Sequence, residues 1–167
     1  MSSETIVTAI FLITAIVAAG ILTSQIFPAI YTMSSTFSSS SSKADQQMRT
    51  DMVIVNSFAD SAGNAQVWLK DTGTSRIYLK DLNMSTLFIG APGDFEALSQ
   101  DDLVGAPPAA GKWSYDILDN SNAYWDEGET LHLMMKSDHL PTSRGDVVYF
   151  QMVLFDGTKR SEQFTVS

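Results

Sequence analysis

Few residues in this chain are equipped for chemistry, and they do not converge. His132 and His139 are the two imidazoles, and zinc sites need three or four ligands at characteristic spacings that this pair does not supply. Strand alternation puts His132 on the same side as Lys136, which predicts two plain surface histidines. Cysteine is absent, which removes disulfide scaffolds, thiolate metal sites and thiol nucleophiles. No G-x-S-x-G elbow, phosphate-binding loop or dinucleotide-binding glycine pattern occurs, so acyl transfer, nucleotide hydrolysis and hydride transfer have no local support. Asp116, Asp119, Asn120, Asn122, Asp126, Glu127 and Glu129 offer the oxygens calcium prefers. They lack the glycine and terminal glutamate positions of an EF-hand loop, and Asp and Asn gather in turns for local hydrogen bonds anyway. The expectation is a protein without enzymatic activity, metal or cofactor.

Charge narrows the partners. Residues 1–49 hold Glu4 and Asp45 against Lys43 and Arg49, so the whole net charge of −9 belongs to the remainder. An acidic domain repels phosphate backbones, because nucleic-acid affinity comes largely from Lys and Arg displacing counterions. Nucleic acid is therefore excluded as a partner.

The elements behind these residues fall into three parts. From Thr5 to Ser42 there is no charged side chain, and Ile6 to Ile30 reads IVTAIFLITAIVAAGILTSQIFPAI. As a helix this run reaches about 38 Å, against a bilayer hydrocarbon core of about 30 Å. A cleaved signal peptide would carry a basic start and an apolar stretch about half as long. Apolar residues on all sides argue against a surface helix of a soluble protein. The reading is a transmembrane or filament-core helix over residues 1–33. Pro28 near its end would kink or terminate it beside the interface, with Tyr31 at the headgroups. Ala15, Ala18, Ala19 and Gly20 would let a neighbouring helix approach closely. Glu4 is favoured by the helix N-terminal dipole and could pair with a neighbouring subunit's free amine, or it is a solvated helix-start charge with Ser2 or Ser3 as cap.

Residues 34–49 open with SSTFSSSSS, a composition too polar to bury surface, which predicts a Ser-rich flexible linker. Lys43 to Arg49 would continue or resume a helix. Beyond it, residues 50–167 alternate apolar and polar. Ile77 and Leu79, then Leu131, Leu133 and Met135, then Phe164 and Val166 each line one side of a pleat. Turn signals separate the runs, among them Asp119-Asn120, and Asp156-Gly157 predicts a hairpin joining Val147–Phe155 to Ser161–Val166. Seven or eight strands in this span predict an all-β immunoglobulin-like sandwich. Asp146 to Phe155 is bulky and apolar on both faces, which suits a central strand covered on its second side by a loop such as Pro92 to Pro108. The alternative is a patch that packs on another subunit.

Lys43 and Arg49 lie on the C-terminal side of the apolar run, where the positive-inside rule would favour the cytoplasm. Two bases beyond a serine spacer carry little weight. The acceptor tripeptide Asn83-Met84-Ser85 leans the other way, making Asn83 a glycosylation candidate on a domain outside the cell.

A charge-poor helix headed by glutamate and followed by an acidic sandwich resembles the archaeal type IV pilin-like proteins. SSETIVTAIFLITAIVAAGIL, from Ser2 to Leu22, resembles more closely the archaellum accessory family FlaG/FlaF, nearer FlaG. VWLKDTGTSRI from Val67 to Ile77 is similar to that family's V-W-V-K-N-x-G-x-x-x-I, with Asp71 in the place of its Asn. The resemblance implies a protein held in the archaeal cell membrane with its sandwich extracellular or pseudoperiplasmic. It would serve as stator or self-associate into a filament at the archaellum base, touching other archaellum subunits or surface-layer (S-layer) protein. One rival is an archaellin or pilin proper. Those carry a basic leader ahead of a processing site, and a chain beginning Met-Ser without one favours the unprocessed accessory protein. The other rival is a solitary membrane-tethered binding module, for which Trp68, Trp113 and Trp125 would form the platform.

Overall fold

The computed structural model describes residues 3–118 and 122–167. Two compact units emerge, one ending at Ala44 and the other spanning Asp45–Ser167.

The first unit consists of helix α1, which runs Ser3–Arg49 and passes into the second with its last turn. The helix does not stop at residue 33, and residues 34–49 are not the flexible linker their composition predicts. The reason is local. Thr32, Ser35, Thr36 and Ser39 donate their hydroxyls to carbonyls three or four residues back, at 2.8–2.9 Å, so these side chains bond inside the helix instead of competing with it. No Gly or Pro falls between Ser34 and Arg49 to interrupt it. Pro28, expected to sit near a terminus, lies inside the helix. Its missing N–H leaves the Ser24 carbonyl without its usual donor, yet the helix continues for five further turns or so.

The second unit is β-rich, as expected. Its elements are β1 (Met52–Ala59), β2 (Asn64–Asp71), β3 (Ile77–Tyr78), α2 (Leu79–Leu82), β4 (Thr86–Ala91), β5 (Asp94–Val104), β6 (Lys112–Leu118), β7 (Tyr124–Trp125), β8 (Thr130–Lys136), β9 (Val147–Val153) and β10 (Lys159–Thr165). Eight strands form one sheet in the order β1-β2-β8-β6-β5-β4-β9-β10, and β3 pairs with β7 apart from it. The long strand β5 serves two partners. Its first half pairs antiparallel with β4 and its second half parallel with β6, so the sheet folds over on itself into two layers with the core between. An isolated parallel bridge joins Ala59 to Val166, and the Ser167 amide donates to the Ala59 carbonyl at 3.0 Å. The two edge strands are thereby tied together, which nearly closes the barrel and protects edges that would otherwise invite pairing. The architecture fits the immunoglobulin-like sandwich expected from the strand pattern.

The core follows the pleat. Val67, Leu69, Leu131, Leu133 and Met135 of one layer meet Leu87, Ile89, Val148, Phe150 and Met152 of the other in a single buried cluster with Trp113 and Trp125. The Asp156-Gly157 hairpin forms as predicted, between β9 and β10, with Gly157 at φ +91°. The predicted strand through Leu79 breaks off at Tyr78, because Leu79 and Leu82 reach the core three residues apart on a helical turn. On the second face of β9, Tyr149 packs against the Phe95 ring at 5.4 Å between centroids. Pro92 to Pro108 is mostly the strand β5, not the covering loop expected there.

Candidate functional site: the apolar helix and its attachment to the sandwich

Up to Ala44, none of the described residues of α1 is buried. Ile10, Phe11, Ile13, Ile16, Leu22 and Phe27 all stand more than half exposed, around the whole circumference. The helix is long and apolar enough to cross a membrane. Glu4 sits in its first turn, its backbone carbonyl accepting the Thr8 hydroxyl at 2.8 Å. The Ser2 considered as a cap lies outside the described residues. At about 100° per residue, Thr8, Ala15 and Ala19 share one narrow stripe, Ala18 widens it to a face about 100° across, and Gly20 points a further 100° or so beyond Ala19. A Cβ on Gly20 would meet nothing within 4 Å. The four small residues singled out from sequence are therefore not one surface: the three alanines are, and Gly20 lies on another side. Pro28 accepts the Thr32 hydroxyl through its carbonyl at 2.9 Å.

Within the second unit, the last turn of α1 is gripped by a short loop. Thr74 and Ser75 donate their amides to the Arg49 carbonyl at 2.8 and 3.1 Å, and Thr72 and Gly73 donate theirs to the Asp51 carbonyl, both at 3.0 Å. The helix C-terminus thus finds, in a loop of the sandwich, donors for a carbonyl a free helix end leaves to water. Gly73 is the residue that permits the approach, since a Cβ there would stand 2.4 Å from the Arg49 oxygen. Arg160 of β10 adds a second tie, donating from Nε to the Met52 carbonyl at 2.8 Å and from its terminal nitrogen to the Asp51 carboxylate.

Beneath this loop lies Asp71, 1% exposed. Its Oδ1 accepts the Gly73 amide at 2.8 Å, while Oδ2 is buried with no hydrogen-bond partner among the described residues. Its amide donates to the Glu129 carbonyl and its carbonyl accepts the Gly128 amide, which ties in the β7–β8 turn. Burial pushes the carboxyl up to about 6; the Gly73 amide opposes this, and the charges of Glu127, Asp126 and Asp51 add to it. Sequence reasoning noted Asp71 as a departure from a family pattern and missed its burial. The available signal was Asp71-Thr72-Gly73, where an aspartate two residues before glycine caps a turn with its own carboxylate.

Of the acidic stretch weighed for calcium, Asn122, Asp126 and Glu129 are bonded to one another or to Arg76. Arg76 grips Asp126 with two bonds, at 2.5 and 2.9 Å, and holds it below the usual carboxylate range with help from Asn122. Glu129 accepts the Asp126 amide at 2.9 Å. Asp119 and Asn120 lie outside the described residues, and among the described residues no three His, Asp or Glu side chains converge on a point. His132 is half-buried and stacks on Trp68 at 4.5 Å with Nε2 3.0 Å from Gln66. Desolvation there outweighs the nearby Asp116 and lowers its pKa. It is a packed residue, not the plain surface histidine expected. His139 meets Asp94 at 3.0 Å near the surface. Trp113 and Trp125 are fully buried, which leaves only Trp68 of the expected platform near solvent. Asn83 is exposed just after α2, whereas Ser85 of its tripeptide is buried.

Comparison with known proteins fits this arrangement. A family model described as archaeal-type flagellin matches residues 2–165. A protein of Archaeoglobus fulgidus described as uncharacterized is 24% identical over 170 residues, covering 99% of each chain. Among solved structures, the archaellum periplasmic stator protein FlaG from Sulfolobus acidocaldarius superposes with a TM-score of 0.52 at 17% identity, over 69% of this chain and 99% of that one. The archaellum periplasmic stator protein complex of FlaF and FlaG from the same organism gives 0.53 at 18% identity, over 68% and 87%. The archaeal flagellum of Methanospirillum hungatei strain JF1 gives 0.62 at 13% identity, over 100% and 94%.

Proposed function

The chain belongs to the archaeal-type flagellin family, and from that premise we propose that it is a structural component of the archaellum, anchored in the archaeal cell membrane as a stator-like accessory protein. The observation that carries this reading is α1, uncharged from Thr5 to Ser42 and unburied on every side. Such a surface is stable only among lipid tails or other apolar helices, since exposing it to water costs roughly 25 cal/mol for each Å². Lipid suits residues 1–33, and the helical serine run beyond them carries the chain out of the hydrocarbon.

Residues 50–167 then stand outside the membrane, in the pseudoperiplasmic space, and bear on fellow subunits, other archaellum subunits or S-layer protein. The likeness of this domain to a FlaG structure over nearly all of that structure's length supports the accessory role. The function is mechanical: a part that resists torque needs a held anchor and a rigid contact domain, and no catalytic group. Ala15, Ala18 and Ala19 are the positions at which a second helix would pack, and Glu4 the charge that marks the helix's cytoplasmic end. Asn83 is the residue open to glycosylation.

A second reading, a filament subunit whose helix lies in a helical core, draws on the likeness to the Methanospirillum hungatei flagellum across helix and sandwich together. Intact-mass measurement on isolated envelopes and on sheared filaments separates the two. Recovery in washed envelopes with residues 1–20 retained supports the anchored accessory. Abundant recovery in sheared filaments would replace it with the second reading.

A further inference from the structure

We propose that Asp71 is a proton-operated latch on the attachment of α1's last turn to the sandwich: neutral, it allows the 72–75 loop to hold the Arg49 and Asp51 carbonyls, and ionised, it loosens that hold. The proposal concerns the junction alone and stands whatever the sandwich docks on.

The geometry carries it. Asp71 ends β2, and the four loop amides that bind the Arg49 and Asp51 carbonyls follow it without a break. Its Oδ1 fixes the second residue of that loop through the Gly73 amide. The same side chain is buried, and its other oxygen has no hydrogen-bond partner among the described residues. A neutral carboxyl tolerates such a site, whereas a carboxylate in it lacks the bonds and the counter-ion that would offset its lost hydration.

The groups around it deepen the problem. Asp51 faces it from beyond the helix end, and Asp126 and Glu127 from the β7–β8 turn. Glu129 of that turn is bonded to the Asp126 amide. Three arginines of these segments point to other carboxylates: Arg76 pairs with Asp126, Arg160 with Asp51, and Arg49 lies 4.0 Å from Asp45. Relief for an ionised Asp71 therefore requires the loop to move and admit water. Because Gly73 is packed against the Arg49 oxygen and the Asp51 amide, moving the loop releases the helix end.

The test uses the full chain in detergent micelles, carrying 13C-labelled aspartate, with hydrogen exchange followed by mass spectrometry at a series of pH values and corrected for intrinsic exchange. Expected is an Asp71 carboxyl midpoint near pH 6. Protection of the Thr72–Ser75 amides should fall by a factor on the order of ten to a hundred as pH rises from about 4 to that midpoint, and be level above it. In Asp71→Asn the protection should be level over the same range. Glu127→Gln, an exposed change that leaves the carboxyl in place, should move both the midpoint and the protection curve to lower pH together. A midpoint near 4, protection unchanged between about pH 4 and 6, or an Asp71→Asn profile that follows the wild type would overturn the proposal. If Asp71→Asn does not fold, Glu127→Gln decides alone: the two curves either move together or the latch does not exist.

Discussion

At Asp71 the unfolded chain releases its proton near the ordinary aspartate value, 3.8, whereas the folded chain holds it up to about 6. The folded state therefore binds the extra proton, and stability falls as pH rises from about 4 to about 6 and is level above. The full difference amounts to about 3 kcal/mol at most. Asp71→Asn should accordingly be more stable than the wild type at pH 7.5, with the gap closing as pH falls to 4, in denaturant unfolding of the full chain. Asp126 behaves in the opposite sense. Its hydrogen bonds from Arg76 depress its pKa, so the support of that pair is present above the unfolded value and is lost as pH falls through the folded one. A cost without titration lies next door. Gly73→Ala places a methyl 2.4 Å from the Arg49 oxygen and 2.6 Å from the Asp51 amide. Backbone cannot yield there without breaking the loop's own bonds, so a destabilisation of about 1–3 kcal/mol is expected at every pH. A pH-independent loss would distinguish it from any change at Asp71.

Among the elements, α1 tests the difference between composition and context. Ile16→Lys puts an ammonium near the middle of the apolar run, at a cost of about 2.5–3.5 kcal/mol for insertion. The fraction retained in alkali-washed membranes should drop severalfold, while Ser39→Lys, in the helical serine run, should leave it unchanged. Equal retention of the two would remove the lipid from the argument. In the sandwich, Phe150 of β9 is fully buried between the layers, and Phe150→Ala should cost about 3–5 kcal/mol in unfolding free energy. These two elements also mark how much a sequence can disclose. Apolar continuity announced α1, alternation announced β8, and the Asp156-Gly157 turn announced the β9–β10 hairpin, because each signal is local to the element it marks. The serine run misled because low burial potential is a property of composition, whereas its helix is held by hydroxyls bonding to carbonyls one turn back. Asp71 was invisible for another reason. Its burial depends on the Gly128 turn and the end of α1, far away in sequence, and no window around Val67 to Ile77 contains either.

For the molecule as a whole, charge governs how copies meet. The net charge of −9 lies wholly beyond the helix's apolar run, and several of its carboxylates stand in the turns: Asp51, Asp60, Asp126, Glu127, Asp138, Asp146 and Asp156 all lie outside the strands. Others lie within strands, among them Asp94, Glu96 and Asp101 of β5 and Asp116 of β6. Outward positions of β4, β9 and β10, such as Phe88, Tyr149, Gln151 and Gln163, carry none, and Phe88, Phe95 and Tyr149 form a run of aromatic contacts there. Copies brought together would meet acidic turn against acidic turn, and neutral surfaces only at the outward faces of β4, β9 and β10. Salt should strengthen such an assembly, because screening reduces the repulsion while the apolar contacts persist. Between about 0.05 M and about 0.5 M salt the Debye length contracts from more than 10 Å to about 4 Å. Sedimentation of the full chain in an uncharged detergent should then show larger species at the higher salt. If the species grow smaller instead, the contacts between copies are made by pairing opposite charges. Lys70, Lys112 and Lys136, at the margins of β2, β6 and β8, would then be the cations meeting a neighbour's acidic turns.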